Sequence, residues 1–287
     1  MAVSTATLNY TIRRMCASDI TQAYQLTQNL QWPHRQEDWL TMFNVSAALV
    51  MEHEGKVIGT ACAVEQGAYA SIGLVVIADE YQGYGLGRKI VTAIMQESQC
   101  SSFFLSATKA GQPLYEKLGF KEYARIKQYQ GYVSGPDNQP LTSTQPFIRE
   151  TQPSDYDNVI ALLNQASGME RDKVFNEVLS ETQQTIVLER DNAIAGVACY
   201  RSFGRGDAIG PVIASHSEDA HALLAYLLAN NEGKFVRVDT PAQYHLAETL
   251  QSWGLSEVDD IAAMHLGTRP KPQLAYTPYC LITQALG

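Results

Sequence analysis

The sequence predicts an α+β protein in two copies, each a β-sheet with helices on its faces. Three observations predict it. The first is internal repetition. Ile12, Arg13, Ser18, Asp19 and Leu26 recur as Ile148, Arg149, Ser154, Asp155 and Leu162, at a constant offset of 136. Gly59-Thr-Ala-Cys62 recurs as Gly196-Val-Ala-Cys199 and Ile72-Gly73 as Ile209-Gly210, both at 137, and Leu118-Gly119-Phe120 faces Trp253-Gly254-Leu255 at 135. The second is the order of patterns within each copy, strand, helix, strands, strand, helix, strand, helix, which indicates a sheet covered by helices. The third is the stretch 135–146, rich in Pro, Gly, Ser, Asn and Thr, which reads as a linker. The domains are therefore 1–134 and 147–287, each long enough to bury its own core.

Each copy opens with a short strand, 10–13 and 146–149. Ser18 and Ser154 then stand where a helix N-cap belongs, before apolar periodicity at 20–30 and 156–166. A hairpin follows in the first copy: strand 47–53, a turn at 54–56, strand 57–64. The second copy repeats it with 185–188, a turn at 190–192, and 193–199. Residues 72–77, IGLVVI, form a β-branched apolar run that reads as a buried strand. Leu86, Ile90, Val91, Ile94 and Met95 share one helical face. The apolar segment Tyr279-Cys-Leu-Ile-Thr283 reads as a closing strand.

The formal net charge is −9, of which −1 falls in 1–146 and −8 in 147–287. Neither half has a basic run, which argues against a nucleic-acid partner. There is no apolar run of about 18 residues, so no membrane span is expected, and the first residues lack the pattern of a secretory signal. The five cysteines are widely spaced without CxxC, and the six histidines form no HExxH. No metal site is expected, and a cytoplasmic, reducing location is.

The most informative stretch is residues 82–87, Gln-Gly-Tyr-Gly-Leu-Gly, which joins a strand to the start of a helix. That junction suits an anion: free N–H groups and the positive end of the helix dipole point at it, and glycine lets a phosphate approach the backbone. The spacing is not GxGxxG, because its third position falls on Arg88. No Walker Lys-Ser/Thr pair follows. Gln82-x-x-Gly85-x-Gly87, with Tyr81 before it and Leu114-Tyr-Glu-Lys-Leu-Gly-Phe120 about 30 residues downstream, resembles the acyl-CoA pyrophosphate loop of the GNAT acetyltransferase superfamily.

The resemblance covers most of residues 8–132. It implies two tandem GNAT-like domains, each with a mixed, mostly antiparallel sheet, and acetyl-CoA as co-substrate. It implies that the pantetheine arm adds like a strand along 75–77, bonded to backbone groups of Val75 and Ile77, with Val76 between them. Pyrophosphate would be held by backbone N–H groups of Gln82, Gly83, Tyr84, Gly85, Leu86, Gly87 and Arg88. Tyr115 matches the family's usual acid, which protonates the CoA sulfur. Thr108 stands where relatives carry Asn, and either bonds the pantetheine or a bridging water or does neither. Gly111 replaces a usual Ala, and Asp79 a common Pro. Glu65 is a candidate base acting through water or a solvated hairpin charge. Trp32 and His34 lie where relatives contact the acceptor, or pack an ordinary loop.

At an offset of 137, residues 82–87 map to Asp219-Ala-His-Ala-Leu-Leu224, without glycines and with added negative charge. At 135, Tyr115 maps to Leu250. The second copy thus reads as a degenerate GNAT domain that packs on the first, its acidity either drawing a cationic amine or only keeping the chain soluble. The resemblance implies transfer of an acetyl group to a primary amine of a small molecule. A CoA-binding regulator or pseudoenzyme, and a transferase of longer acyl groups, remain alternatives. A homodimer is compatible with the sequence.

Overall fold

The computed structural model describes residues 8–135, 147–273 and 275–287. All of the expected linker except Gly135 lies outside them.

The first copy runs β1 (Thr11–Arg14), α1 (Ile20–Asn29), α2 (Gln36–Val45), β2 (Ala47–His53), β3 (Lys56–Gln66), β4 (Tyr69–Ile77), α3 (Leu86–Glu97), β5 (Ser102–Ala107), α4 (Gln112–Lys117) and β6 (Lys121–Tyr132). The second repeats the order: β7 (Phe147–Glu150), α5 (Tyr156–Ser167), α6 (Asp172–Ser180), β8 (Thr182–Arg190), β9 (Ala193–Phe203), β10 (Gly206–Ala214), α7 (Ser217–Ala229), β11 (Phe235–Pro241), α8 (Ala247–Ser252) and β12 (Ser256–Leu266). A last strand, β13 (Thr277–Cys280), has no counterpart among the described residues of the first copy. In each copy α1/α2 or α5/α6 cover one face of the sheet, and α3/α4 or α7/α8 the other.

The N-cap expectation is corrected. Ser18 and Ser154 lie inside 3-10 turns, Ala17–Asp19 and Pro153–Asp155. The repeated pair that matters is Arg and Asp. The Asp19 carboxylate accepts the Cys16 N–H at 2.9 Å and Arg13 Nη1 at 2.7 Å, while Arg13 Nε reaches Glu52 at 2.9 Å. The second copy reproduces this with Asp155, Gln152, Arg149 and Glu189. A carboxylate fixed by a guanidinium ties the helix start to two strands, which a serine hydroxyl would not do.

Hydrogen bonding to Arg13 and Cys16 holds the Asp19 carboxyl well below the usual carboxylate range, against the opposing effect of burial. A folded value below the unfolded one, about 3.9, contributes stability above that pH, which is lost as pH falls towards the folded value. Asp19→Asn is therefore expected to cost about 2 kcal/mol at pH 7, with the gap to wild type narrowing below about pH 4. Denaturant unfolding across pH checks this; a constant gap down to low pH would contradict it.

The sheet order is β1-β2-β3-β4-β5-β12-β6-β11-β10-β9-β8-β7. The copies have exchanged their last long strands. β5 pairs not with β6 but with β12, Phe103 opposite Leu266 and Ala107 opposite Ala262. β6 pairs with β11, Ile126 opposite Pro241 and Tyr132 opposite Phe235. β6 and β12 also pair with each other, Ile126 opposite Ile261. Each copy's sheet is thus completed by the other's chain, and one sheet runs through both.

Two strand pairs open into a V. β4 and β5 run parallel from Tyr69/Ser102 to Ile72/Leu105 and then part at Gly73. β10 and β11 pair from Asp207/Val236 to Ile209/Val238 and part at Gly210. In the second copy the opening is filled by β13, which pairs with β10 through Val212/Cys280 and Ala214/Thr277. On its other side Thr240 Oγ1 donates to the Tyr279 carbonyl (2.7 Å) and Leu281 N–H to the Asp239 carbonyl (2.9 Å). The closing strand expected at 279–283 lies instead at Thr277–Cys280, with 281–283 beyond it, and it plugs an opening.

Candidate active site

The opening between β4 and β5 is a cleft of about 810 Å³. It starts at the loop before α3, passes Val75, Ser106 and Tyr115, and ends at Leu30 and Trp32 beyond α1. It therefore passes through the sheet, with α3 and α4 on one side and the segment after α1 on the other.

Its edge is set by strand alternation. The Ala78 N–H bonds back to the Ile58 carbonyl of β3 at 2.9 Å, and Val76 lies opposite Thr60. The alternate residues Val75 and Ile77 then turn their backbone groups to the side that β5 has left. A bulge at Leu74, φ 49°, helps part the strands, and Thr60 Oγ1 donates to the Leu74 carbonyl at 2.7 Å. Val76 shares the lining, but its side chain packs in the core under α1 and α2.

The glycine loop meets the helix as expected. Gly83 and Gly85 have φ of 83° and 73°, in the left-handed region, and Gly85 is the N-cap of α3. No atom lies within 4 Å of where a Cβ would sit on either, so it is their backbone conformation that favours glycine. Gly87 is different: a Cβ there would meet Leu114 Cδ2 at 3.3 Å, so it serves close packing of α3 on α4. The N–H groups of Leu86, Gly87 and Arg88 begin the helix and have no carbonyl one turn back. Gln82 fastens the loop to the strand end, its Nε2 donating to the Ile77 carbonyl (3.0 Å) and Asp79 (2.9 Å). Tyr84 is exposed and Leu86 is buried, so each offers backbone rather than side chain.

Tyr115 lies on α4, 8% exposed, and lines the cleft. Burial raises its phenol above the ordinary value, so it keeps its proton at neutral pH. Thr108 lines the cleft too, and its Oγ1 accepts the Gly111 N–H at 3.2 Å, which leaves its own O–H to donate. A Cβ on Gly111 would lie 3.3 Å from Thr108 Oγ1 and 3.4 Å from Tyr115 Cε2, so glycine keeps these two side chains close.

Of the remaining candidates, Trp32 lines the cleft and His34 does not. The half-buried His34 ring stands edge-on to Phe203, and desolvation pushes it down to about 4. Glu65 sits at the end of β3, opposite Ala70 and away from the cleft, where its carboxylate accepts Ser98 Oγ (2.7 Å) and the Gln99 N–H (2.8 Å) after α3. It is not a base for this cleft. Sequence reasoning missed Leu30 and Ser106 as lining residues; neither carries a motif.

Two family models, each described as an acetyltransferase (GNAT) domain, match this chain, one over residues 44–122 and one over 159–277. Over 224 residues the chain is 30% identical to a Bacillus subtilis (strain 168) protein described as uncharacterized N-acetyltransferase YitH, covering 77% of this chain and 78% of that one. The chain belongs to the GNAT superfamily. Among solved structures, a putative acetyltransferase from Pyrococcus horikoshii matches with a TM-score of 0.80 at 19% identity, over 100% of this chain and 99% of that one. A GCN5-related N-acetyltransferase from Sphaerobacter thermophilus matches with 0.62 at 16% identity, over 93% and 98%. These two likenesses are of fold.

The second GNAT domain corrects one expectation. Residues 219–224 are not a degenerate loop; they lie inside α7, which begins at Ser217. Between β10 and α7 only Ser215 and His216 remain, so the cradle has been shortened away rather than substituted. Asp219 is fully buried and held by Arg190 as part of the helix start. Leu250 does take the place of Tyr115, fully buried on α8.

Proposed function

We propose that the first GNAT domain transfers an acetyl group from acetyl-CoA to a primary amine of a small molecule. The observation that carries this reading is the joining, in one cleft, of an open strand edge at Val75 and Ile77, a left-handed glycine loop at a helix start, and a buried tyrosine. Backbone groups of Val75 and Ile77 would hold the pantetheine, and N–H groups of residues 82–88 the pyrophosphate. Thr108 would donate to the pantetheine or to a water beside it.

In the reaction the neutral amine attacks the thioester carbonyl, the C–N bond forms, the C–S bond breaks, and the nitrogen gives up one proton to solvent to leave the amide. Sulfur leaves with the bonding pair and takes a proton. The ordinary phenol pKa of about 10 already exceeds that of a thiol, about 8.5, and burial widens the gap. Tyr115 therefore acts chiefly by donating a hydrogen bond to the developing thiolate, with net protonation completed as CoA leaves. Fixing the thioester beside the amine supplies the orientation.

A panel of amines assayed by release of free thiol tests the reading, alongside calorimetric titration with CoA. Binding without release on any amine would favour a regulator. Tyr115→Phe is expected to lower kcat by roughly 10–10³ with CoA affinity nearly intact, since it removes a donor and little volume. An unchanged rate with chemistry limiting would leave Tyr115 a packing residue.

A further inference from the structure

The plug in the second domain does not end at β13. After Cys280 the chain crosses to the first domain, and Ile282 and Leu286 pack in the core under α1 and α2 with Val174 and Val178 of α6. Residues 282–287 close on themselves, Ile282 N–H to the Gly287 carbonyl at 3.1 Å and Gly287 N–H to the Thr283 carbonyl at 2.9 Å.

Two equivalent glycines admit this segment. A Cβ on Gly210, where β10 parts from β11, would sit 1.9 Å from the Leu281 carbonyl oxygen. A Cβ on Gly73, where β4 parts from β5, would sit 2.6 Å from the Ala285 Cβ. The segment thus crosses both openings in five residues, plugging one and abutting the other.

Two buried guanidinium groups fix it. Arg201 Nη2 donates to the Ile282 carbonyl at 2.6 Å, and Arg171 Nη2 to the Leu286 carbonyl at 2.5 Å and the Gly287 carbonyl at 2.9 Å. Among the described residues neither makes a salt bridge. Burying a cation is costly; these oxygens, together with the Phe203 ring 4.9 Å from the Arg201 guanidinium, offset that cost and hold the loop where it lies.

The position matters because the cleft passes through the sheet. The glycine loop and Tyr115 flank it on the α3/α4 side. Ala285 meets Gly73 from the other side, where Leu74 and Val76 pack under α1 and α2 and where Leu30 and Trp32 end the cleft. We propose that residues 282–287 form the acceptor-side wall of the first domain's cleft, and that Ala285, seated at the parting of β4 and β5, limits the size of the amine admitted. This rests on the reading of the cleft as the acetyl-CoA site. On this view the second domain's vacated cofactor opening has become the anchor for a specificity element of the first.

The test combines calorimetry with two variants of the full chain. Ala285→Cys is exposed to CoA disulfide: the introduced thiolate attacks the S–S bond, a mixed disulfide forms and CoA thiolate leaves. The expected result is a CoA adduct mapped to position 285 and suppressed by excess acetyl-CoA, beyond any adducts that wild type forms at Cys16 and Cys100. Ala285→Leu should bind acetyl-CoA as wild type does, while KM for branched or aromatic amines rises roughly 10-fold or more relative to small linear ones. If wild type binds no CoA, the cleft reading falls and this proposal with it. If CoA binds but position 285 stays unmodified and Ala285→Leu keeps the wild-type amine range, the wall assignment alone is overturned.

Discussion

Gly85→Glu is expected to abolish acetyl-CoA binding in a protein that still folds. Gly85 caps α3 with φ 73°, where a residue with a Cβ carries strain of about 1–2 kcal/mol. No atom lies within 4 Å of the new Cβ, so nothing is displaced. A carboxylate at a helix N-terminus is itself favourable by about 0.3–1 kcal/mol, which offsets part of the strain. The same attraction makes the variant a strong test. The new carboxylate settles where the pyrophosphate would and repels it at short range, so the dissociation constant should rise by roughly 100-fold or more, about 2.7 kcal/mol. Gly85→Asn separates charge from backbone, because asparagine tolerates the left-handed region and is neutral; it should bind within about tenfold of wild type. Undiminished CoA binding by a folded Gly85→Glu, read by calorimetry, would remove the loop from the site.

Much of this site is legible in the sequence because its chemistry is local. A glycine loop between a strand and a helix, and Tyr115 in Leu114-Tyr-Glu-Lys-Leu-Gly-Phe120, are short words whose neighbours in sequence are their neighbours in space. The repeat is legible for the same reason, although its serines point to the wrong cap atoms. Ser18 and Ser154 carry the usual cap chemistry, yet Asp19 and Asp155 hold the arginine on the preceding strand, and it is that arginine which reaches a distant partner, Glu52 or Glu189. A fixed offset also conceals deletions, and so it carried residues 82–87 into the middle of α7. The strand exchange leaves no local trace. β6 and β12 are both long strands preceded by a similar glycine turn, at Gly119 and Gly254, and either pattern specifies a strand but not its neighbour. The pairing of Gly73 with Gly210 was visible as repetition. That both are glycine because one segment passes both becomes evident only from the distances.

The exchange makes the largest prediction about the chain as a whole. A fragment ending at residue 135 is expected to lack acceptor turnover and to aggregate or to dimerise. In the intact protein the edge of β5, with Phe103 and Leu105, is covered by β12. The fragment would expose it as an unpaired, apolar edge, a template for association. It would also lose Ile282 and Leu286 from the core under α1 and α2. Each is worth about 1.5–3 kcal/mol of burial, against a total stability of about 5–15 kcal/mol. Its own β6 would be left without β11 and β12 and could return to β5 only by taking the place that β12 now holds. Within one chain that gives a domain with no acceptor-side wall; between two chains it gives a strand-exchanged dimer. Light scattering after gel filtration distinguishes the two, and thiol release measures turnover. Adding the complementary piece, residues 136–287, should restore a one-to-one complex and its activity, because every contact the fragment lacks lies on that piece. Full turnover by the fragment as a monomer would show that neither the exchanged strand nor the segment crossing Gly73 is needed for the chemistry.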